Sequence, residues 1–351
     1  MRPEDKLLFA CTRQNFLSAH QTIVLDLCSK EKILWDIVYF TARQHGVAAL
    51  VYTNLLKCIP VNLGIPHDVI EKFKLCVATN IVRKNLREEK MVELLSFFKR
   101  KSIDVMLLKG AALDMLVYDQ PWYMVSEDID LIVKQKREDF TVEDRKELVA
   151  LLRQLSIECG YFEHHDVDMF GVLSINYQRI WANANKVEYR GYDVFVMSPE
   201  DMLISVCINS CRKRFFKLKS LCDIAEIVNK YHDLKWEELV RNSKEYHCNS
   251  IVYTALLVAK MELGCELPEG VLDKLADSTI RFIIIRYFAR YLSRKASLAS
   301  VSYYKRDEKD MVATKINLTL ILPYATYRWH QLWRKLKVNL KTKMLQACRF
   351  V

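Results

Sequence analysis

The sequence predicts an α+β fold, in which a small mixed sheet is flanked by an N-terminal and a C-terminal helical region. Apolar residues follow a helical period through most of the 351 residues, and short β-rich runs occur only in the middle of the chain. Turn-forming residues are scarce, with 8 Gly and 7 Pro, which favours long helices. We therefore divide the chain into an N-terminal helical region (1–101), an α/β core (102–197) and a C-terminal helical region (198–351).

The two helical regions have clear start and stop signals. A helical hairpin is predicted from Glu31 to Leu56 with Gly46 between its helices, and one long helix from Pro66 to about Lys101, since neither Gly nor Pro interrupts it. Ser198 is predicted to begin a later helix as its N-cap, because Pro199 suits the first helical position and two acids follow. The rest of the C-terminal region is nearly all helical by period.

The core is where the apolar pattern changes from helical to strand-like. Short apolar runs rich in β-branched residues predict strands, and a Gly between two of them predicts a hairpin. The predicted elements are, in order, a strand at Asp104–Leu108, a helix at Gly110–Val117, a strand at Ile129–Val133, a helix that ends at Gly160, a strand at Val167–Ile175, and a hairpin of Lys186–Tyr189 and Asp193–Met197 around Gly191.

We expect a soluble, cytoplasmic protein that does not insert into membranes. The first residues carry several charges and no apolar stretch of signal-peptide length, and no later segment has the ~20 apolar residues that cross a bilayer. Eleven cysteines, an odd number without a repeated spacing, indicate reduced and mostly buried thiols. The alternative, a metal at Cys207, Cys211 and Cys222, lacks a CxxC pair or a nearby His.

The net charge of +10 is concentrated in two basic runs, at 212–219 and 328–349. Such runs suit phosphate-bearing ligands, from a nucleoside triphosphate up to RNA. For the second run the alternative is a solvated helix face, because leucines and Trp333 interleave with its basic residues at helical spacing.

Two aspartates on the second predicted strand are the main candidates for chemistry. Side chains alternate along a strand, so Asp128 and Asp130 project to one face while Ile129 enters the core. Two such carboxylates can present Mg²⁺ ions to a triphosphate, since this ion prefers oxygen ligands. Earlier in the chain, Gly110 lets a helix N-terminus approach a phosphate, and Lys109 adds a positive charge. The alternative is an ordinary strand-to-helix turn with solvent-facing aspartates.

A third carboxylate usually completes a two-metal site and takes the proton of the attacking hydroxyl. Asp168 is the candidate, and Asp166, on the same face of the predicted strand, is the reserve. His164 and His165 are adjacent, so at most one of them faces such a site, and partly exposed surface histidines are the alternative.

At these residues the sequence resembles the uncharacterised nucleotidyltransferase family of bacterial proteins, within the superfamily related to DNA polymerase β. The specific part of the resemblance is the Lys-Gly-Ala segment followed by the Asp-x-Asp strand. The matching segments are Trp35 with ARQHGVAALVYTNL at 42–55, LLKGAALDML at 107–116, Tyr118, residues 128–133, Gly160-Tyr161, SPEDML at 198–203, Cys222-Asp223-Ile224-Ala225, and Leu322-Pro323 with the basic helix after it.

The resemblance implies a nucleotidyltransferase core and attack of an acceptor group on the α-phosphorus of a nucleoside triphosphate, with pyrophosphate leaving. Acceptors in this superfamily include small molecules, proteins and nucleic acids. The catalytic metal ligands that it implies, for two Mg²⁺ ions or Mn²⁺ in their place, are Asp128, Asp130 and Asp168. The nucleotide-binding residues that we assign with them are Lys109, Gly110, Ala111 and Ser126.

The sequence departs from the family pattern in three places. Met124 stands where an Arg usually precedes the Asp-x-Asp, Asn209 stands where histidines are typical, and the stretch from Gly160 to Asp168 is short. A metal-dependent transferase is the leading hypothesis. The alternatives are a catalytically inactive nucleotide-binding protein of the same fold and an RNA-interacting protein that uses the basic runs.

Overall fold

Helices and one four-stranded mixed sheet make up the fold, which confirms the predicted α+β class. The computed structural model describes residues 2–58, 63–126, 128–135, 139–155, 173–213, 215, 217–276, 282–287 and 289. In chain order the elements are α1 (Pro3–Cys11), α2 (Ser18–Lys30), α3 (Trp35–Gln44), α4 (Ala48–Leu56), α5 (His67–Arg100), β1 (Val105–Leu107), α6 (Lys109–Leu116), β2 (Leu131–Val133), α7 (Val142–Leu155), α8 (Tyr177–Ala182), β3 (Asn185–Tyr189), β4 (Tyr192–Val196), α9 (Pro199–Arg212), α10 (Leu218–Lys230), α11 (Trp236–Glu245), α12 (Asn249–Leu263) and α13 (Val271–Leu275).

The N-terminal hairpin and the long helix are both confirmed, as α3, α4 and α5. Gly46, between α3 and α4, has a φ of 74°, a left-handed conformation that glycine adopts without strain. The 34-residue α5 packs against both helices of the hairpin. Its Phe73 stacks on Tyr52 of α4, with ring centroids 5.5 Å apart, so an apolar contact fixes the start of α5.

The sheet has the strand order β2-β1-β4-β3, and β1 is one of its two central strands. It pairs antiparallel with β2 and parallel with β4, so that Met106 lies opposite both Ile132 and Phe195. β3 and β4 form the predicted hairpin, which is confirmed. All three residues of β1 are buried, so this strand lies in the core of the fold.

Two strand predictions need correction. β2 begins at Leu131 rather than at Ile129, and the Asp130 carbonyl just before it accepts a hydrogen bond from the Leu108 amide (3.0 Å). The predicted strand at Val167–Ile175 is wrong for 173–175, where the Ser174 amide donates to the Tyr246 carbonyl (3.3 Å) instead of to a strand. Residues 167–172 lie outside the described part.

The C-terminal helices begin with the predicted cap. Ser198 Oγ accepts a hydrogen bond from the Asp201 amide (3.2 Å), and α9 starts at Pro199. Cys207, Cys211 and Cys222 are buried free thiols, and burial raises the pKa of Cys211 to about 12, so this thiol stays protonated. None of the described helices is long and apolar enough to cross a membrane.

Candidate functional site

A cleft of about 450 Å³ lies where the core meets both helical regions, and its volume is within the usual range of small-molecule sites. Its residues come from the end of α3, the turn after β1, the segment before β2, and the α9–α10 connection. The lining residues are Arg43, Gln44, Gly46, Lys109, Gly110, Val125, Ser126, Asp128, Asp130, Asn209, Arg212, Lys213, Lys217 and Lys219.

The two aspartates of the Asp-x-Asp triplet both line this cleft. Ile129 between them is 3% exposed and packs into the core around β1, while Asp128 is exposed and Asp130 is half-buried. The alternation that was expected of a strand therefore holds here, although the triplet precedes β2. Both carboxylates are open to a ligand from the same side.

The turn from β1 into α6 places Lys109 beside the second aspartate. Lys109 Nζ lies 3.1 Å from Asp130 Oδ1, and the Lys109 backbone has a φ of 46°. α6 follows at once, so its first backbone amides belong to this turn and lack partners within the helix. The side chain of Ala111 is buried (5% exposed) and absent from the cleft lining, which leaves only its amide for ligand binding.

Gly110 and Ser126 are in close contact across the floor of the cleft. A Cβ atom added to Gly110 would lie 2.1 Å from Ser126 Oγ and 2.9 Å from Ser126 Cβ. Only glycine allows the two segments to approach this closely. The contact holds the α6 N-terminus next to the segment that leads into Asp128.

The part of the cleft formed by the α9–α10 connection is basic. Lys213 at the end of α9 and Lys217 and Lys219 at the start of α10 all line it. Lys219 is held by Asp223, with Nζ 3.0 Å from Oδ2, and Tyr118 donates a hydrogen bond to the other oxygen of Asp223 (2.6 Å). This arrangement fixes a cation at the cleft in advance of any ligand.

One of these lysines, Lys213, has a shifted pKa. Burial lowers the pKa of Lys213 to about 8, and the nearby charges of Lys217 and Lys219 act in the same direction. A lysine in such a position binds an anion most strongly while it is protonated.

The N-terminal hairpin contributes to the cleft, which was not predicted from the sequence. Arg43 and Gln44 line it, the Gly46 carbonyl accepts a hydrogen bond from the Val125 amide (3.2 Å), and His45 Nδ1 accepts one from the Leu218 amide (3.1 Å). The hairpin turn thus joins the segment before β2 to the start of α10. The segment ARQHG was part of the resemblance, but its residues carried no chemical interpretation.

The remaining predicted residues lie outside the described part of the chain: His164, His165, Asp166, Asp168 and the basic run at 328–349. Within the described ranges, no three His, Cys, Asp or Glu side chains form a group that could hold a metal ion. Met124, at the position of the missing family Arg, is 1% exposed and belongs to the apolar core.

Comparison with protein-family models matches residues 31–264 to a family described as uncharacterised nucleotidyltransferase. The matched range is well over half of the chain and contains every residue that lines the cleft. No curated protein and no solved structure gives a significant match.

Proposed function

The chain belongs to the uncharacterised nucleotidyltransferase family, and we propose that it transfers a nucleoside monophosphate from a nucleoside triphosphate to an acceptor hydroxyl. In this reaction the acceptor oxygen bonds to the α-phosphorus, the bond from that phosphorus to the bridging oxygen of the β-phosphate breaks, and pyrophosphate leaves. The hydroxyl proton passes to a carboxylate or to solvent. One observation carries the proposal: two carboxylates, a glycine turn and a basic wall share one cleft.

The charge of the cleft supports a polyanionic substrate. Among the described residues that line it, six are basic and two are acidic, and a triphosphate is complementary to such an excess. The six basic residues are Arg43, Lys109, Arg212, Lys213, Lys217 and Lys219.

The donor set supports Mg²⁺ as the cofactor. Asp128 and Asp130 offer carboxylate oxygens, which this ion prefers, and water and phosphate oxygens commonly supply its other ligands. When bound, two Mg²⁺ or Mn²⁺ ions would neutralise charge on the triphosphate and on the leaving pyrophosphate. Asp168, or Asp166 in its place, is proposed as the third carboxylate.

The protein's own groups would bind and orient the nucleotide. The backbone amides of Gly110 and Ala111, at the start of α6, are suited to donate to phosphate oxygens, and Ser126 lies against this turn. Lys213 and Lys219, which line the same cleft, would bind further phosphate oxygens of the triphosphate. Binding of the triphosphate by these groups would align the α-phosphorus for attack. Such alignment is a large part of catalysis in phosphoryl transfer.

Replacement of the two aspartates tests the proposal. The wild-type protein is incubated with each of the four α-labelled triphosphates, Mg²⁺, and the small-molecule, protein and RNA fractions of a cell extract in turn. We expect label transfer and pyrophosphate release from one combination. Asp128→Asn and Asp130→Asn should each lower the rate by about 100-fold or more, the usual scale when charge stabilisation is lost.

Asp104→Asn is the matched control, because Asp104 immediately precedes β1, is not among the residues that line the cleft, and is paired with Lys134 (3.6 Å). All three variants should keep the wild-type melting temperature. Unchanged transfer in both the Asp128 and Asp130 variants would remove the assignment. Asp168→Asn and Asp166→Asn, compared in the same assay, distinguish the two candidates for the third carboxylate.

A catalytically inactive nucleotide-binding protein is the second candidate. It is favoured by Met124, a buried apolar residue that stands where the family pattern has an Arg. Calorimetry with ATP, GTP, CTP and UTP, with and without Mg²⁺, separates the candidates. Tight binding without pyrophosphate release in any extract fraction would favour nucleotide binding alone over transfer.

An RNA-interacting protein is the third candidate, through the basic residues at 212–219. Those that line the cleft face a volume of nucleotide size, which favours a mononucleotide over a long strand. RNA binding would weaken steeply with salt, as counterion release requires. Absent or salt-insensitive RNA binding dismisses this candidate.

A further inference from the structure

Arg87 lies behind the cleft, on the face of α5 that is turned toward the core. Its side chain is 9% exposed and is not among the residues that line the cleft, so it would act on a nucleotide through the cleft residues that it contacts. We propose that Arg87 is a positioning residue for the transfer reaction. It holds the turn that contains Gly110 and the Asp-x-Asp segment in fixed positions relative to each other. The inference rests on the proposed function, and it assigns a role to a residue on a helix outside the cleft.

The guanidinium group of Arg87 bonds to both segments at once. Nη1 donates to the Ser126 carbonyl (3.2 Å), two residues before Asp128, and Nη2 donates to the carboxylate of Asp114 in α6. A planar guanidinium with two donors in fixed directions is suited to such a bridge, whereas a lysine ammonium on a flexible chain is not. One buried side chain thereby couples the helix that carries Gly110 to the segment that carries the carboxylates.

Arg87 acts at the close approach of Gly110 to Ser126. The Cβ position of Gly110 is 3.9 Å from Arg87 Nη1 and only 2.1 Å from Ser126 Oγ. Ser126 is therefore contacted at its side chain by Gly110 and at its carbonyl by the Arg87 hydrogen bond. If the hydrogen bond is lost, the segment before Asp128 can move away from the α6 N-terminus.

A buried charge cluster keeps Arg87 in place. Asp114 is 8% exposed, and Lys84, one turn earlier on α5, contacts the same carboxylate. Burial, and then the charge of Arg87, lower the pKa of Lys84 to about 6, so Arg87 and Asp114 are the charged pair at neutral pH. Breaking one partner of a buried ion pair is costly, because it leaves the other charge without compensation. The cluster thus fixes the guanidinium rigidly, as a positioning role requires.

A positioning role predicts an effect on turnover larger than the effect on nucleotide binding. Misplacement of reacting groups by roughly 1 Å can lower a rate by about 100-fold. We expect Arg87→Lys to lower kcat by about 10- to 100-fold, to raise the Mg²⁺ concentration for half-maximal rate, and to change the triphosphate KM by less than about threefold.

The test uses the full-length protein in the α-labelled triphosphate assay, with Arg83→Lys as the control. Arg83 lies one turn before Arg87 on α5 and is exposed, so the same substitution there should change neither kcat nor the Mg²⁺ dependence. Asp114→Asn is the second variant, since it removes the carboxylate that anchors Arg87 but keeps the shape of the side chain. We expect the same loss of kcat, and no further loss when both substitutions are combined.

Melting temperature and kcat per folded molecule are measured for every variant. Wild-type kcat and Mg²⁺ dependence in folded Arg87→Lys would overturn the inference and leave the proposed function standing. The inference is overturned in the same way if Asp114→Asn and Arg87→Lys lose activity only in proportion to their folded fraction. No transfer by the wild-type protein with any triphosphate would overturn both the inference and the proposed function.

Discussion

The ammonium group of Lys109 lies 3.1 Å from Oδ1 of Asp130, and the backbone that carries it is in the left-handed region, with a φ of 46°. A residue with a Cβ atom is less stable there than glycine by roughly 1–2 kcal/mol. Strain retained beside a candidate metal ligand is a reason to expect a functional role for the side chain. Lys109 would neutralise Asp130 before a metal binds and contact a phosphate afterwards.

Two substitutions at Lys109 separate strain from charge. Lys109→Ala removes the charge and keeps the strain, whereas Lys109→Gly removes both. Both variants should bind the triphosphate about 10- to 100-fold more weakly, because each loses one hydrogen bond from a charged donor. By chemical denaturation, Lys109→Gly should be about 1 kcal/mol more stable than Lys109→Ala. Wild-type affinity in Lys109→Gly would show that the ammonium has no part in nucleotide binding.

A methyl group at Gly110 should be destabilising because of Ser126, and removal of the Ser126 side chain should repair the damage. Gly110→Ala places a Cβ atom 2.1 Å from Ser126 Oγ, and overpacking of this kind costs about 1–3 kcal/mol. Ser126→Gly removes both Ser126 atoms in that contact. We expect the double variant to regain most of the stability that Gly110→Ala loses in urea denaturation. A double variant no more stable than Gly110→Ala would locate the cost elsewhere.

The sequence was sufficient to predict the elements that carry a strong local signal. α5 has no Gly or Pro, α9 has Ser198 and Pro199 at its start, and the β3–β4 hairpin has a Gly in its turn. The orientation of Asp128 and Asp130 also followed from local alternation, since Ile129 had to be buried. The ends of short strands were harder to predict. The ends of β2, for example, depend on its pairing with β1 and not on its own residues.

The rest of the cleft depends on contacts between residues far apart in the chain. Arg87 is one of many charged residues on a long helix, and its burial follows from Asp114 and Ser126, which are 27 and 39 residues away. His45 meets the start of α10 across 173 residues. A helical period shows which residues share a face, but it does not show what that face packs against.

His45 should stabilise α10 as a remote cap. Leu218 is the first residue of α10 and is fully buried, and its amide donates to His45 Nδ1. A buried amide without an acceptor costs about 1–3 kcal/mol, so His45→Ala should lower the free energy of unfolding by that amount. It should also weaken triphosphate binding, because Lys217 and Lys219 are at this end of α10.

His45→Asn is the control for this prediction, since the Asn side-chain oxygen can take the place of Nδ1. It should retain most of the stability and affinity that His45→Ala loses. Equal losses in the two variants would mean that ring packing, and not the hydrogen bond to Leu218, is what His45 contributes.

Triphosphate binding should weaken as the pH rises through about 8, because Lys213 loses its proton there. Burial, and then the charges of Lys217 and Lys219, lower the pKa of Lys213 to about 8. A bound phosphate favours the protonated lysine, so its pKa is higher in the complex than in the free protein. The contribution of Lys213 to triphosphate affinity is therefore fully present below pH 8. Above pH 8 the affinity falls by at most about tenfold per pH unit.

Calorimetry from pH 7 to 9, in buffers of different ionisation enthalpy, measures both the affinity and the proton uptake. The wild-type protein should take up protons on binding near pH 8.5. Lys213→Arg stays charged throughout this range, since arginine titrates above about 12, and should lose both the pH dependence and the proton uptake. Lys217→Arg changes a neighbouring lysine in the same way and should retain both. If Lys213→Arg keeps the wild-type pH profile, another group is responsible for it.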